Sequence, residues 1–295
     1  MRRRFLLLHN PVAGLRRHRL VRKVVRELEE RGADVVMLRL WGLSQHLSQE
    51  ALERIVKFDQ FDALIAAGGD GTVRALAKAL GANASVPIGV IPAGTGNVLA
   101  RELPLPSRPH DVAEMLLHGP VAEIPGALAG GEPFFLMAGV GFDGEIIGGL
   151  NLELKRRIGK SAYAWPTTKA LAHRPKLFSV LVDDIPYTAN WVVGAKARRY
   201  AGGFTIANDI SVKDARLVAV LFQATSYRGR LLELTALGLG LHQRLATVAV
   251  IPCQKIEVVD AGLPVQIDGD EAGFSPVTIR MGGGHLRMIV PTEAG

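Results

Sequence analysis

Residues 61–81 read FDALIAAGGDGTVRALAKALG, which is an apolar segment, a glycine-rich turn and an amphipathic segment in direct succession. Phe61–Ala67 is predicted to be a strand, and Thr72–Leu80 a helix that Gly81 ends. The turn between them is Gly68-Gly69-Asp70-Gly71-Thr72. Glycines let a backbone approach a ligand closely, and the N-terminus of a helix favours an anion. The stretch therefore predicts a phosphate-binding turn at the end of a strand.

Two side chains of this turn can take part in chemistry. Thr72 can cap the helix or donate a hydrogen bond to a phosphate oxygen. Asp70 repels a phosphate unless a metal ion, a proton or a hydroxyl group lies between them. From these residues alone, a plain glycine-rich turn with an aspartate cap remains the alternative.

Strand and helix signals alternate on both sides of the turn. The other predicted strands are Phe5–Leu8, Val35–Leu38 and Pro87–Ile91, and the other predicted helices are Leu20–Leu28, Leu47–Val56 and Asp111–Leu117. This alternation predicts an α/β fold with a parallel sheet and helices on both faces.

The pattern changes after Gly119-Pro120 to short strand-like segments separated by turns, which indicates a mainly antiparallel β-sandwich. These segments include Phe134–Met137, Val277–Ile279 and Leu286–Val290, and helical stretches interrupt them at Leu152–Leu171 and Arg230–Leu241. We place the boundary near residue 124, so the predicted domains are 1–124 and 125–295.

Two more small-residue loops follow predicted strands of the same sheet. Asn10-Pro11-Val12-Ala13-Gly14 follows the first strand, and Ile91-Pro92-Ala93-Gly94-Thr95-Gly96-Asn97 follows the fourth. Ligands of open α/β sheets bind at the carboxyl ends of the strands. We therefore expect the three loops to converge on one crevice.

An acidic motif, Asp268-Gly269-Asp270-Glu271, lies in the β-rich half. In an extended segment Asp268 and Asp270 would share a face, so one could accept a hydroxyl proton while the other orients a metal ion or the base. A common Asp-Gly hairpin turn is the alternative, and sequence alone favours it slightly.

Composition narrows the function classes. The 35 Lys and Arg against 28 Asp and Glu give a net charge of +7, which suits polyanions such as ATP or acidic lipid, or simply aids solubility. The interleaved aromatic and basic residues of a single-strand nucleic-acid binder are absent. The single Cys253 excludes a disulfide within the chain and fits the cytoplasm. The Gly139–Gly144 segment matches a dinucleotide fingerprint, but its β-rich setting and lack of a ribose-binding acid argue against that function.

Taken together, the motifs resemble the diacylglycerol kinase catalytic family, and within it the bacterial lipid kinases of the YegS and BmrU type. Their order carries the resemblance over nearly the whole chain: Asn10–Gly14, Gly68–Thr72, Ile91–Asn97 with Ala100-Arg101-Glu102-Leu103, Gly139–Asp143 and Asp268–Asp270. The resemblance implies an ATP- and Mg²⁺-dependent lipid kinase, with ATP held in the cleft between two domains. With the loops above, it assigns the nucleotide site to Asn10, Pro11, Gly14, Gly68, Gly69, Gly71, Thr72, Val73, Arg74, Ala75, Gly94, Thr95 and Asn97.

The same resemblance implies catalytic and metal-binding roles. Asp270 stands at the position of the family's proton acceptor, with Asp268 and Asp70 as alternatives. The family's magnesium loop falls on Ser211, Asp214 and Arg216. Here that loop reads Lys213-Asp214-Ala215 where the family has Asp-Asp-Gly, and Arg74-Ala75 stands where the family has Asn-Glu.

The expected partners are a lipid alcohol substrate and, through the basic surface, an anionic membrane that the protein joins peripherally from the cytoplasm. The sequence also allows the protein to form a homodimer. The Leu231–Leu241 stretch either lines an acyl groove or, as we favour, covers the sandwich core. Two other functions remain as alternatives: an NAD kinase-like enzyme acting on a soluble metabolite, and a nucleotide-binding regulator without catalysis.

Overall fold

The computed structural model describes residues 1–9, 18–39, 60–81, 85–151, 161–162, 164–201 and 203–292. The chain forms two compact units. Unit 1 contains Met1–Pro125 and Gly284–Gly295, and unit 2 contains Gly126–Gly283. The predicted loop Asn10–Gly14 and the predicted helix Leu47–Val56 lie outside the described residues.

Unit 1 has the predicted α/β architecture. Its strands are β1 (Arg4–His9), β2 (Asp34–Arg39), β3 (Ala63–Gly68) and β4 (Ile88–Pro92), and its helices are α1 (His18–Glu30), α2 (Asp70–Leu80), α3 (Val98–Glu102) and α4 (Pro109–His118). The sheet order is β2-β1-β3-β4, and all three pairings are parallel.

Burial explains why these segments fold as they do. All residues of β3 and β4 are buried, as expected of a parallel sheet covered on both faces. Helix α1 buries Val21, Val24 and Leu28, which recur on one face at helical spacing. These side chains belong to one core with Phe5 and Ile65 of the sheet.

Unit 2 is the predicted antiparallel β-rich domain. The remaining strands are β5 (Val121–Ala129), which begins in unit 1, β6 (Glu132–Phe134), β7 (Met137–Gly141), β8 (Phe178–Val182), β9 (Ile185–Ala189), β10 (Trp191–Ala195), β11 (Arg199–Tyr200), β12 (Phe204–Thr205), β13 (Leu217–Phe222), β14 (Val248–Cys253), β15 (Lys255–Val258), β16 (Pro264–Ile267), β17 (Asp270–Phe274) and β18 (Val277–Ile289). Its helices are α5 (Phe142–Gly148), α6 (Ala164–Leu171) and α7 (Tyr227–Gly238), with a 3₁₀ turn at His242–Arg244.

Two sheets face each other in unit 2. One has the order β14-β13-β10-β7-β16-β17, and the other contains β15, β8, β9 and the first part of β18. Val192 and Leu221 of the first sheet share a core with Ile256 and Ile279 of the second. The predicted β-sandwich is therefore confirmed.

The structure differs from the sequence prediction at the C-terminus. Val277–Ile279 and Leu286–Val290 were predicted as separate strands, yet β18 runs unbroken from Val277 to Ile289. Its first residues pair with β15, whereas Met288 pairs in parallel with Ile88 of β4. Residues 284–295 therefore belong to unit 1 rather than to the C-terminal domain.

No helix among the described residues is long and apolar enough to cross a lipid bilayer.

Candidate functional site

The order in which strands are added to the sheet of unit 1 reverses between β1 and β3. The chain moves outward from β1 to β2 on one side, then returns and moves from β3 to β4 on the other. Because ligands of open α/β sheets bind where the strand order reverses, the carboxyl end of β3 is the expected binding edge. At this edge β3 ends at Gly68 and α2 begins at Asp70, so the last three residues of the predicted turn Gly68–Thr72 form the start of the helix.

The turns after β3 and β4 touch each other. Both Ala93 N–H and Gly94 N–H donate hydrogen bonds of 3.0 Å to the carbonyl oxygen of Gly68. A Cβ atom added to Gly94 would lie 2.3 Å from Cα of Gly69, and one added to Gly69 would lie 3.2 Å from Cα of Gly94. The expected convergence of these two loops is confirmed, and it depends on the lack of side chains at both positions.

Asp70 fixes the shape of the second loop. Its Oδ2 accepts a hydrogen bond of 2.9 Å from Val98 N–H, and its Oδ1 accepts one of 3.0 Å from Leu99 N–H. The carboxylate thus binds the first backbone N–H groups of α3, where a negative charge is favourable. Asp70 acts as an anchor between the loops in this structure.

Asn97 closes the second loop in the left-handed conformation, with φ 50° and ψ 50°. Its side-chain Nδ2 donates to the carbonyl oxygens of Pro92 at 3.2 Å and Gly94 at 2.9 Å. Its Oδ1 is buried and has no hydrogen-bond partner among the described residues. A buried amide oxygen of this kind calls for a donor, which a bound ligand could supply.

The remaining predicted nucleotide residues fall into two groups. Thr72 and Val73 are buried, and the Thr72 hydroxyl lies 2.1 Å from where a Cβ of Gly68 would stand, so Thr72 packs over the strand end. Thr95 is exposed, whereas Arg74 and Ala75 are partly exposed. Helix α2 has no side-chain cap at Gly69, which leaves its N-terminus to be satisfied by other groups.

Two cations of the protein itself bind the predicted magnesium loop: Lys196, which lies outside it, and Arg216 within it. The Lys196 ammonium is fully buried and donates to the backbone carbonyls of Val212, at 3.2 Å, and Asp214. Asp214 Oδ2 accepts hydrogen bonds from Ser211 N–H at 3.0 Å and Arg216 Nε at 3.4 Å. Burial lowers the pKa of Lys196 to about 8, although the Asp214 carboxylate opposes the change.

These contacts do not fit a divalent cation at Ser211, Asp214 and Arg216. Mg²⁺ needs several oxygen ligands in nearly ideal octahedral geometry. Here Arg216 already binds the Asp214 carboxylate, and the Lys196 ammonium binds the carbonyl oxygens of Val212 and Asp214, so a positive charge already occupies this loop. In the part of the chain that the structure describes, no group of three or more His, Cys, Asp or Glu residues could hold a metal ion.

The acidic motif of unit 2 is a hairpin turn, so the extended arrangement considered from the sequence is wrong. Ile267 pairs with Asp270, and Asp268 and Gly269 between them have φ angles of 49° and 88°. Asp268 accepts three backbone hydrogen bonds, from the N–H groups of Phe135, Leu136 and Met137. Asp268 therefore anchors the chain between β6 and β7, while Asp270 opens β17 and is partly exposed.

A buried polar network stands beside this hairpin and was missed from the sequence. The Asp143 carboxylate accepts hydrogen bonds from the Tyr200 hydroxyl and, at 2.6 Å, from Gln266 Nε2. Gln266 Oε1 in turn accepts one of 2.9 Å from Gly269 N–H. Burial raises the pKa of Asp143 to about 6, although these side-chain hydrogen bonds oppose the rise.

The glycines of the rejected fingerprint make room for this network. A Cβ at Gly139 would lie 2.0 Å from Asp143 Oδ2, and one at Gly144 would lie 2.2 Å from the carbonyl oxygen of Pro264. Gly141 has φ 86°, in the left-handed region that favours glycine. The spacing of Gly139, Gly141 and Gly144 was therefore the sequence signal that could have indicated the buried polar network.

Comparisons with known proteins agree with this two-unit architecture. The model of the diacylglycerol kinase catalytic domain matches residues 4–127, and that of the YegS C-terminal NAD kinase beta sandwich-like domain matches residues 137–290. The chain belongs to the diacylglycerol kinase family of YegS-like proteins.

Two of the relatives span almost the same length as this chain. A Pseudomonas fluorescens protein named "Probable lipid kinase YegS-like" is 28% identical over 99% of this chain and 97% of its own length. A "Diacylglycerol kinase" of Mycobacterium tuberculosis is 30% identical over 90% of this chain and 88% of its own. The chain spans only 55% of one further, longer relative.

Among solved structures, a diacylglycerol kinase from Bacillus anthracis has the same fold. The TM-score is 0.73 at 20% sequence identity, and the match covers 98% of this chain and 97% of that chain. At this identity the likeness shows the fold alone, and it confirms the two-domain architecture predicted from the motifs.

Proposed function

We propose that the protein is an ATP-dependent lipid kinase that transfers the γ-phosphoryl group of ATP to a hydroxyl group of diacylglycerol or a related lipid. The observation that carries the proposal is the contact of the Gly69 and Gly94 turns at the point where the sheet order reverses. It creates a rim in which two glycines leave the backbone open beside the N-terminus of α2, which suits the phosphates of a nucleotide.

Each residue of this rim has a role in the proposal. Gly69 and Gly94 allow the phosphate chain to approach the backbone closely. Asp70 holds the loops in position through the N–H groups of α3, and the exposed Thr95 hydroxyl can donate to the nucleotide. The buried Oδ1 of Asn97 offers an acceptor for a hydroxyl or amino group of the nucleotide.

The reaction itself requires one proton acceptor. The lipid hydroxyl oxygen bonds to the γ-phosphorus, the bond from that phosphorus to the bridging oxygen of ADP breaks, and the hydroxyl proton leaves to a base. Asp270 is the base in this proposal, because it stands where the family carries its proton acceptor and because Asp268 is occupied by three backbone N–H groups. Mg²⁺ on the phosphate oxygens of ATP would neutralise their charge, and we assign no part of it to residues 211–216.

The alternatives differ from the proposal in the acceptor, or in whether the protein catalyses a reaction at all. An NAD kinase-like enzyme would transfer phosphate to a soluble metabolite, and the misfit of the 211–216 loop to a metal ion favours a nucleotide-binding regulator without catalysis. The names of the relatives favour a lipid acceptor.

Labelled ATP separates the three functions. The protein is incubated with [γ-³²P]ATP, Mg²⁺ and either a mixed lipid extract containing diacylglycerol or NAD, and the products are separated by thin-layer chromatography. The proposal expects label in a lipid phosphate. Label in NADP, or ATP binding without transfer to any lipid, would refute it.

A further inference from the structure

Helix α7 presents its apolar side chains outward. Its buried residues are Arg230, Glu233, Ala236 and Leu237. Tyr227, Leu231, Leu232 and Leu239 instead have exposed fractions of 51%, 56%, 56% and 70%. Surface helices normally bury their apolar stripe and expose charged residues, and α7 does the reverse at Arg230 and Glu233. The expectation that the Leu231–Leu241 stretch covers the sandwich core is therefore wrong for most of its leucines.

The charged inner side fixes this orientation. Arg230 donates to the carbonyl oxygens of Ala170 and His173, at 3.4 and 3.2 Å, and to Asn190 Oδ1 at 3.2 Å. Glu233 Oε1 accepts hydrogen bonds from the backbone N–H groups of Gln223 and Ala224. Rotating α7 to bury its leucines would break these contacts and expose the carbonyl oxygens, so the leucines stay at the surface.

Neighbouring elements extend the apolar surface. Helix α6 and strand β12 both contact α7. Trp165 on α6 has an exposed fraction of 74%, and Phe204 on β12 is also exposed. We call the surface formed by Trp165, Phe204, Tyr227, Leu231, Leu232 and Leu239 the α7 face. Large apolar side chains gathered in this way mark an interaction surface, whereas a single one does not.

Basic side chains outnumber acidic ones around the α7 face, although the Glu145 carboxylate lies 3.7 Å from the His173 ring. In residues 164–178 and 225–247 the exposed ionisable side chains include Lys169, Arg174, Lys176, Arg228 and Arg244. These two segments contain a single acidic residue, Glu233, which is buried. The partner must therefore be apolar where it meets the leucines and negatively charged around them.

We propose that the α7 face docks on the surface of an anionic lipid bilayer. Leucine side chains would enter the headgroup region, Trp165 and Tyr227 would lie at the interface that aromatic residues prefer, and the surrounding Lys and Arg would pair with acidic headgroups. The proposal goes beyond the phosphoryl transfer and does not depend on it, because it rests on the surface of unit 2 alone.

Vesicle binding without nucleotide or acceptor lipid tests the docking. The full-length protein is sedimented with phosphatidylcholine vesicles that contain either no or about 30 mol% phosphatidylglycerol, at low and high salt. Binding to the anionic vesicles is expected and should weaken at high salt. Equal binding to both vesicles, or no binding, would overturn the proposal.

Paired serine variants locate the surface. Leu231→Ser/Leu232→Ser should weaken binding to anionic vesicles by about tenfold or more. Ile185→Ser/Val259→Ser is the matched control, since Ile185 and Val259 are exposed by 57% and 51% but lie outside the α7 face, and it should change binding by less than about twofold. Equal losses in both variants would contradict a role for α7.

Two further measurements keep the test decisive. Circular dichroism melts should be alike for both serine variants and the wild type, because the changed side chains lie at the surface. Light scattering after gel filtration detects self-association. If the wild type is a dimer that Leu231→Ser/Leu232→Ser dissociates, and vesicle binding is unchanged, a second copy of the chain covers the α7 face. That result would overturn membrane docking. Vesicle binding without lipid phosphorylation would refute only the proposed reaction.

Discussion

The buried ammonium group of Lys196 donates a 3.2 Å hydrogen bond to the backbone carbonyl of Val212. Val212 lies in the loop that the family resemblance assigns to magnesium, and Lys196 also binds the carbonyl of Asp214 in the same loop. A covalently attached cation thus bridges two carbonyl oxygens of this loop.

The first prediction is that this loop is stabilised by Lys196 and not by a metal ion. Lys196→Met removes the donor to the buried carbonyl of Val212 and the partly buried carbonyl of Asp214, and should lower the free energy of unfolding by about 2 kcal/mol. Lys176→Met removes an exposed lysine and should change it by less than about 0.5 kcal/mol. Urea denaturation measures both values.

Metal titration completes this test. Neither EDTA nor Mg²⁺ should shift the thermal midpoint of the nucleotide-free wild-type protein, because a ligand stabilises a protein only where it binds the folded state. A midpoint that rises with Mg²⁺ concentration would contradict the prediction and return a metal ion to residues 211–216.

The second prediction concerns the contact of the two glycine turns. Gly94→Ala places a methyl group against the backbone of Gly69 and should destabilise the protein by about 1–3 kcal/mol. It should also weaken ATP binding, measured by isothermal titration calorimetry, since one turn must move. Gly238→Ala is the control: a Cβ there meets nothing within 4 Å, and alanine in a helix is expected to be neutral or stabilising. Unchanged ATP affinity in Gly94→Ala would remove this rim from the nucleotide site.

The parts that were predictable from sequence share a physical cause. Apolar runs and helical spacing are local signals, and they gave β1, β3, β4 and α1 to within a few residues of their observed bounds. The convergence of the glycine turns followed from the rule that parallel strands end at the same edge.

The parts that sequence could not supply depend on distant partners. β18 is one strand because its two ends find partners far apart in the chain. The expected Phe134–Met137 strand is interrupted because Asp268 takes the N–H groups of residues 135–137. Helix α7 exposes its leucines because Arg230 has buried acceptors on α6 and at Asn190. None of these contacts can be recognised from the residues that adjoin it in the sequence.

The third prediction is a pH dependence set by Asp143. Its pKa is raised in the folded protein from 3.8 to about 6, so between these values the folded state binds a proton that the unfolded state has lost. The contribution of Asp143 to stability therefore falls as pH rises through this window, by about 3 kcal/mol, and it is restored as pH falls below 4. Asp143→Asn should remove this slope.

Urea denaturation at several pH values between about 4 and 7 measures the difference between wild type and Asp143→Asn. That difference should change steadily through the window, whereas the difference for Asp111→Asn, an exposed aspartate on α4, should not follow it. A constant difference for Asp143→Asn would mean that Asp143 does not titrate in this range.

The fourth prediction assigns the base of the proposed reaction. Asp270→Asn keeps the shape of the side chain but cannot accept a proton, so turnover should fall by about 10²–10⁴-fold while ATP affinity stays nearly unchanged. Glu271→Gln, the exposed neighbour on the same strand, is the control and should retain most of the activity. Asp268→Asn should behave differently from both, because its carboxylate holds three backbone N–H groups and its loss lowers stability as well as activity. If turnover survives in Asp270→Asn while the protein remains folded, the base lies elsewhere, and Asp70→Asn becomes the next variant to assay.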